Sequence, residues 1–88
     1  MNTQDVVTQK HTQQSTAGGT VYFPFENGKI VTGVYFSEPT GYVVKVVEGY
    51  KTLAESQDDA ETVSLGMKKT FCLVVETTRA VAVDVYSR

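Results

Sequence analysis

Residues 20–36 read TVYFPFENGKIVTGVYF, and the pair Asn27-Gly28 at their centre sets the first expectation for the fold. Asn-Gly readily supplies the two positive-φ positions of a type I′ turn, so it predicts a hairpin between residues 21–26 and 29–36. Both flanking runs are rich in β-branched and aromatic residues. With the two-residue period of a strand, Val21, Phe23 and Phe25 share one face of the first run. Ile30, Thr32, Val34 and Phe36 share one face of the second. Pro24 has no N–H to give to a ladder, which places its strand at an edge. Gly33 suggests a bulge or a close backbone approach.

Working outward, residues 37–41 (SEPTG) read as a loop and residues 42–47 (YVVKVV) as a third strand. Tyr42, Val44 and Val46 lie on one side of it and Val43 and Val47 on the other, the pattern of a strand covered on both faces. Residues 70–76 (TFCLVVE) and 80–86 (AVAVDVY) are two further alternating runs. The short link at 77–79 predicts a second antiparallel hairpin. Residues 48–70 allow two readings. Ser56 can N-cap a short helix, with Asp58 and Asp59 in its first turn and Gly66 past its end. The competing reading makes residues 62–65 a strand with Val63 and Leu65 inward. The expected class is mainly β, with α+β as the variant. About five antiparallel strands in hairpins form a small sheet or partly open barrel, with one short helix.

Residues 1–19, MNTQDVVTQKHTQQSTAGG, contrast with all of this. Thr, Gln and Ser dominate, Asp5 and Lys10 cancel, and Val6-Val7 is the one apolar pair. Such a segment buries too little to offset chain entropy, so it reads as a disordered, flexible polar N-terminal arm ahead of a β-rich domain at 20–88. Ala17-Gly18-Gly19 reads as its flexible joint. The arm either frays or orders by lying on a neighbour.

Composition narrows the function. The chain has 88 residues, eight basic and ten acidic, for a formal net charge of −2. Its basic residues are scattered, which argues against nucleic acid as a partner. Cys72 is the single cysteine and sits in an apolar run, so it reads as a buried inert thiol. One Cys and one His cannot supply the four ligands of a structural zinc site. The first twenty residues hold no apolar leader core, and no run approaches the ~18 apolar residues of a membrane span. The expected location is cytoplasmic, or host cytoplasm or virion for a viral chain, with no membrane partner. A folded part of about seventy residues buries only about 60% of its unfolded surface, which makes self-association or a partner the expected support.

Chemistry is sparse. His11 is the only histidine and falls in the arm, away from any triad partner. Glu55, Asp58, Asp59 and Glu61 cluster without the spacing of a calcium loop and read as a solvated helix start. Gly18-Gly19 is followed by no Gly-Lys-Ser/Thr. The rings at Phe23, Phe25, Tyr35, Phe36 and Tyr42 lack the basic residues of a base-stacking platform and read mostly as core. The chain is expected not to be an enzyme, with no catalytic or metal residues and no cofactor.

What remains is surface. Tyr22, Val31 and Tyr35 oppose the core set in the first runs, as do Val43, Val47, Cys72 and Val74 later. Either a closed barrel or sandwich covers both faces, or an apolar face is left as a contact surface. Edge strands offer a second route, by adding a neighbour's strand. The candidate interaction residues are Val6 and Val7 in the arm and Tyr22, Pro24, Tyr35 and Val43 on the sheet face and edge. A Thr/Gln-rich arm on a small β domain resembles, in layout only, the accessory proteins of viral particles, where arms lace subunits together. The expectation is a non-enzymatic structural or interaction protein that self-assembles as a homo-oligomer or decorates a larger, viral particle. The alternative is a small, phage-encoded effector or inhibitor that binds a host protein.

Overall fold

Buried and exposed residues alternate along most of the chain, and the fold follows from where that alternation slips. The computed structural model describes residues 8–63, 65, 66 and 68–88. They form five strands: β1 (Gln9–Gln14), β2 (Thr20–Glu48), β3 (Lys51–Val63), β4 (Lys68–Thr77) and β5 (Ala82–Ser87). All ladders are antiparallel in one open sheet of order β1-β5-β2-β3, with β4 also paired to β2. The described residues contain no helix, and so none long and apolar enough to cross a membrane.

The mainly β, antiparallel reading holds, but neither expected hairpin forms. Residues 20–24 and 29–31 do not pair with each other; both lie along β4, as Phe23↔Leu73 and Ile30↔Lys69. Asn27-Gly28 is a bulge between them. Only Gly28 has positive φ, at +77°, so the double positive-φ requirement of a type I′ turn is unmet. Replacing Gly28 with Ala is expected to cost about 1–2 kcal/mol in urea unfolding, chiefly through backbone strain. A Cβ there would also lie 2.7 Å from Lys69 Cε. Likewise β4 and β5 are not partners: β4 pairs with β2 alone, and β5 lies between β2 and β1.

The hairpin that does form joins β2 to β3. Glu48 pairs with Lys51 across Gly49-Tyr50, and Gly49 has φ +61° while no non-glycine residue among those described has positive φ. Glycine alone at the first turn position is the signature of a type II′ hairpin. The helix considered for residues 56–66 is therefore absent, and 51–63 is strand. Pairing with residues 34–47 of β2 overrides the weak helix-capping signal at Ser56.

β2 coils. Tyr22 and Lys45 both pair with Val74, from its two sides. A straight strand would hold them roughly 75 Å apart, yet two strand spacings are only about 10 Å. The coil turns at register breaks after Pro24, Val31 and Tyr35. The break at Gly33 also switches faces, as a one-residue slip must. Phe23, Phe25 and Val31 are buried before it, and Val34, Phe36, Tyr42, Val44 and Val46 after it. Val31 thus takes the inner place assigned by simple alternation to Ile30 and Thr32. With Leu73, Val75, Val81, Val83 and Val85 these residues make the core.

The N-terminal arm needs the largest correction. Residues 9–14 are strand β1, paired with β5 from Gln9↔Ser87 to Gln14↔Ala82. These polar side chains are held by cross-strand partners. Thr12 Oγ1 donates to Asp84 Oδ1 at 2.7 Å, and Lys10 Nζ lies 3.9 Å from Asp84 Oδ2. His11 is inside the fold: its Nε2 is 2.9 Å from Ser87 Oγ and its ring meets Phe25 edge-on at 5.1 Å. The joint is tied down as well. Gly18 N donates to Thr77 O at 2.8 Å, and Ser15 N to Val81 O at 2.8 Å. Ser15, 1% exposed, brings its Oγ within 2.7 Å of Thr77 Oγ1 and accepts from Val81 N at 3.1 Å. That buried hydroxyl pair closes one end of the sheet.

Candidate functional site

The outer face of β2 and β4 is built from the residues that alternate with the core. Three cross-strand rows define it: Thr20, Glu76 and Val43; Tyr22, Val74 and Lys45; Pro24, Cys72 and Val47. Each buried neighbour forces its flanking residues outward, so Phe23 turns out Tyr22 and Pro24, and Val44 and Val46 turn out Val43, Lys45 and Val47. Tyr22 is 58% exposed, Pro24 is exposed, and Val43, Val47, Cys72 and Val74 are half-buried. Thr20, Tyr22, Val43, Lys45, Val74 and Glu76 line a shallow hollow of about 170 Å³.

Three candidate contact residues, Tyr22, Pro24 and Val43, therefore meet on one face. Pro24 pairs with Cys72 and has no ladder on its other side among the described residues, as its missing N–H favours. Tyr22 O, of the same parity, points to that open side and accepts from Gln13 Nε2. Cys72 departs from the sequence reading. It lies half-buried on this outer face, while Leu73 beside it is in the core.

Tyr35 lies elsewhere. Its ring meets Tyr86 edge-on at 5.5 Å over Gly33, where a Cβ would lie 2.7 Å from the Tyr35 ring. Thr8, Thr32, Gly33, Tyr35 and Tyr86 line an open groove of about 440 Å³. Val6 and Val7 lie outside the described residues.

The acidic residues are strung along β3 rather than gathered at a helix start. Asp58 and Asp59 sit opposite Tyr42 and Gly41, on alternate faces. Among the described residues no group of three or more His, Cys, Asp and Glu could hold a metal ion. β3 forms one edge of the sheet and is polar and acidic, a composition that discourages strand addition. Alternation places Tyr22, Val43, Val47, Cys72 and Val74 opposite the core, and Glu76 on the face of Cys72 and Val74, but does not single out Lys45. The signal for Lys45 is a lone charge inside YVVKVV; that Glu76 lies beside Val43 depends on strand order.

No protein-family model, no curated protein and no solved structure matches this chain.

Proposed function

We propose that this is a non-enzymatic structural protein that works by contact, self-assembling or decorating a larger particle through the outer face of β2 and β4. The observation that carries this is the clustering of Tyr22, Pro24, Val43, Val47, Cys72 and Val74 on one surface. An exposed apolar cluster among polar residues is a usual mark of a protein contact site, and an accessible tyrosine suits it. The arm supplies a second contact in this reading. Val6 and Val7 directly precede Thr8, which lines the Tyr35–Tyr86 groove. The compartment of such a protein would be a cytoplasm or, for a viral chain, the virion.

The test is light scattering on a sizing column with the full chain and Tyr22→Ala. Wild type should run as a defined oligomer. Tyr22→Ala should weaken it by about tenfold or more, a buried interface tyrosine contributing more than ~1 kcal/mol. Circular dichroism should be unchanged, because Tyr22 is not in the core. An oligomer indifferent to Tyr22→Ala would move the contact off this face.

A further inference from the structure

Four adjoining residues of the outer face have an arrangement that specifies the partner. Val43 pairs with Glu76, and Lys45 with Val74. They form a quadrilateral with two valines on one diagonal and two opposite charges on the other. Among the described residues neither Lys45 nor Glu76 has an ion-pair partner within 4.0 Å; the pairs present are Lys10–Asp84 and Arg79–Glu38.

Resting on the contact reading above, we infer that this face docks on the same face of a second copy. The two-fold axis would lie in the interface along the Val43–Val74 diagonal. A two-fold contact uses one patch twice, so the patch must complement itself. Rotation about that diagonal stacks Val43 on the partner's Val43 and Val74 on the partner's Val74. It carries Lys45 over the partner's Glu76, and Glu76 over the partner's Lys45. Both charges of each copy are then used, and the apolar diagonal lies between them. Two sheets meeting face to face sit about 10 Å apart, within reach of a lysine and a glutamate extended toward each other.

Size points the same way. The apolar strip spans three strands and about four residues along each, roughly 10 Å by 13 Å. A stable interface takes about 800 Å² from each partner. The contact must therefore run past these rows, and it encloses Lys45 and Glu76, which lie within them; charges enclosed in an interface choose its partner and register. A surface of one sign would call for an oppositely charged partner. This one carries both signs, Lys45 standing between Glu76 of β4 and Glu55, its cross-strand partner on β3.

The test is charge exchange between copies, read by sedimentation velocity at tens of micromolar full-length chain. Wild type should be dimeric. K45E sets Glu against the partner's Glu76 twice per interface, and E76K sets Lys against Lys, so each alone should raise the dimer dissociation constant at least about tenfold. Mixed in equal amounts, K45E and E76K restore both pairs and should form a heterodimer close to wild-type affinity. Both positions are on the outer face, and thermal unfolding of each variant checks that it folds. A wild-type oligomer unaffected by K45E overturns this register and leaves assembly through another surface standing. Variants that dissociate but fail to recombine overturn the Lys45–Glu76 pairing. A monomeric wild type overturns both this inference and self-assembly.

Discussion

Removal of residues 1–19 is expected to abolish cooperative unfolding. The reason lies in what residues 8–19 hold. β1 supplies the second ladder of β5, whose Val83 and Val85 are fully buried. Without β1, one edge of β5 loses its backbone partners, and a buried unmade hydrogen bond costs about 1–3 kcal/mol. Ser15 leaves with the segment, stranding the Val81 backbone at the closed end and leaving Thr77 Oγ1 to Arg79 O. His11 leaves too, uncovering Phe25 and Ser87 Oγ. A domain of this size has about 5–10 kcal/mol in total, and these losses together exceed it. Thermal denaturation by circular dichroism decides the matter. A sharp transition for the chain lacking residues 1–19 would show that the β5 edge stands without β1.

Phe36→Ala should be the most damaging single truncation, costing about 3–5 kcal/mol. Phe36 is 5% exposed and its ring lies 5.3 Å from that of Tyr42. It also pairs with Val83 at the last point where β2 follows β5, just before the register break that carries β2 across to β4. Its loss opens a cavity where the coil changes partner, and neighbours anchored in different strands cannot easily close it. The thermal midpoint should fall by roughly 15 °C or more. Tyr42→Phe is the contrasting case. The Tyr42 hydroxyl lies 3.4 Å from Thr62 O, a long contact, and its removal should cost less than about 1 kcal/mol. Equal losses from the two changes would mean that the ring pair does not anchor the bend.

Alternation made the inner face legible where a strand is regular. Phe23, Phe25, Val34, Phe36, Tyr42, Val44 and Val46 could each be placed inward from their spacing alone. It failed at residues 30–32, because the slip at Gly33 is set by pairing with β5 and not by local sequence. Turn chemistry misled for a related reason. Asn27-Gly28 has the composition of a hairpin, but β4 offers residues 20–31 a continuous partner, so the positive φ at Gly28 is spent on a bulge. Glu48-Gly49-Tyr50-Lys51 carries the real turn, inside a stretch where acidic residues had suggested a helix. β1 was hidden because Gln, Lys, His and Thr carry no apolar signal. What holds them is a strand more than seventy residues later in sequence. The contact face was legible as residues opposing the core, and its charged diagonal was not, since Val43↔Glu76 is known only once β4 is set beside β2.

The position of β5 bears on how the protein comes to be folded at all. β5 leaves the ribosome after the other four strands yet is wedged between β1 and the middle of β2. Until it emerges, β1 has no ladder and the inner face of β2 at Val34 and Phe36 lacks one flank. Sequential folding of this sheet is therefore blocked until β5 emerges, and the chain must hold β2, β3 and β4 together as an unfinished sheet. Completion depends on closing the widest loop the chain contains, a slow event for a sheet built from distant pairings. In that interval the unfinished sheet exposes valine-rich edges, and it is then, rather than after folding, that the protein is most open to aggregation or to a chaperone.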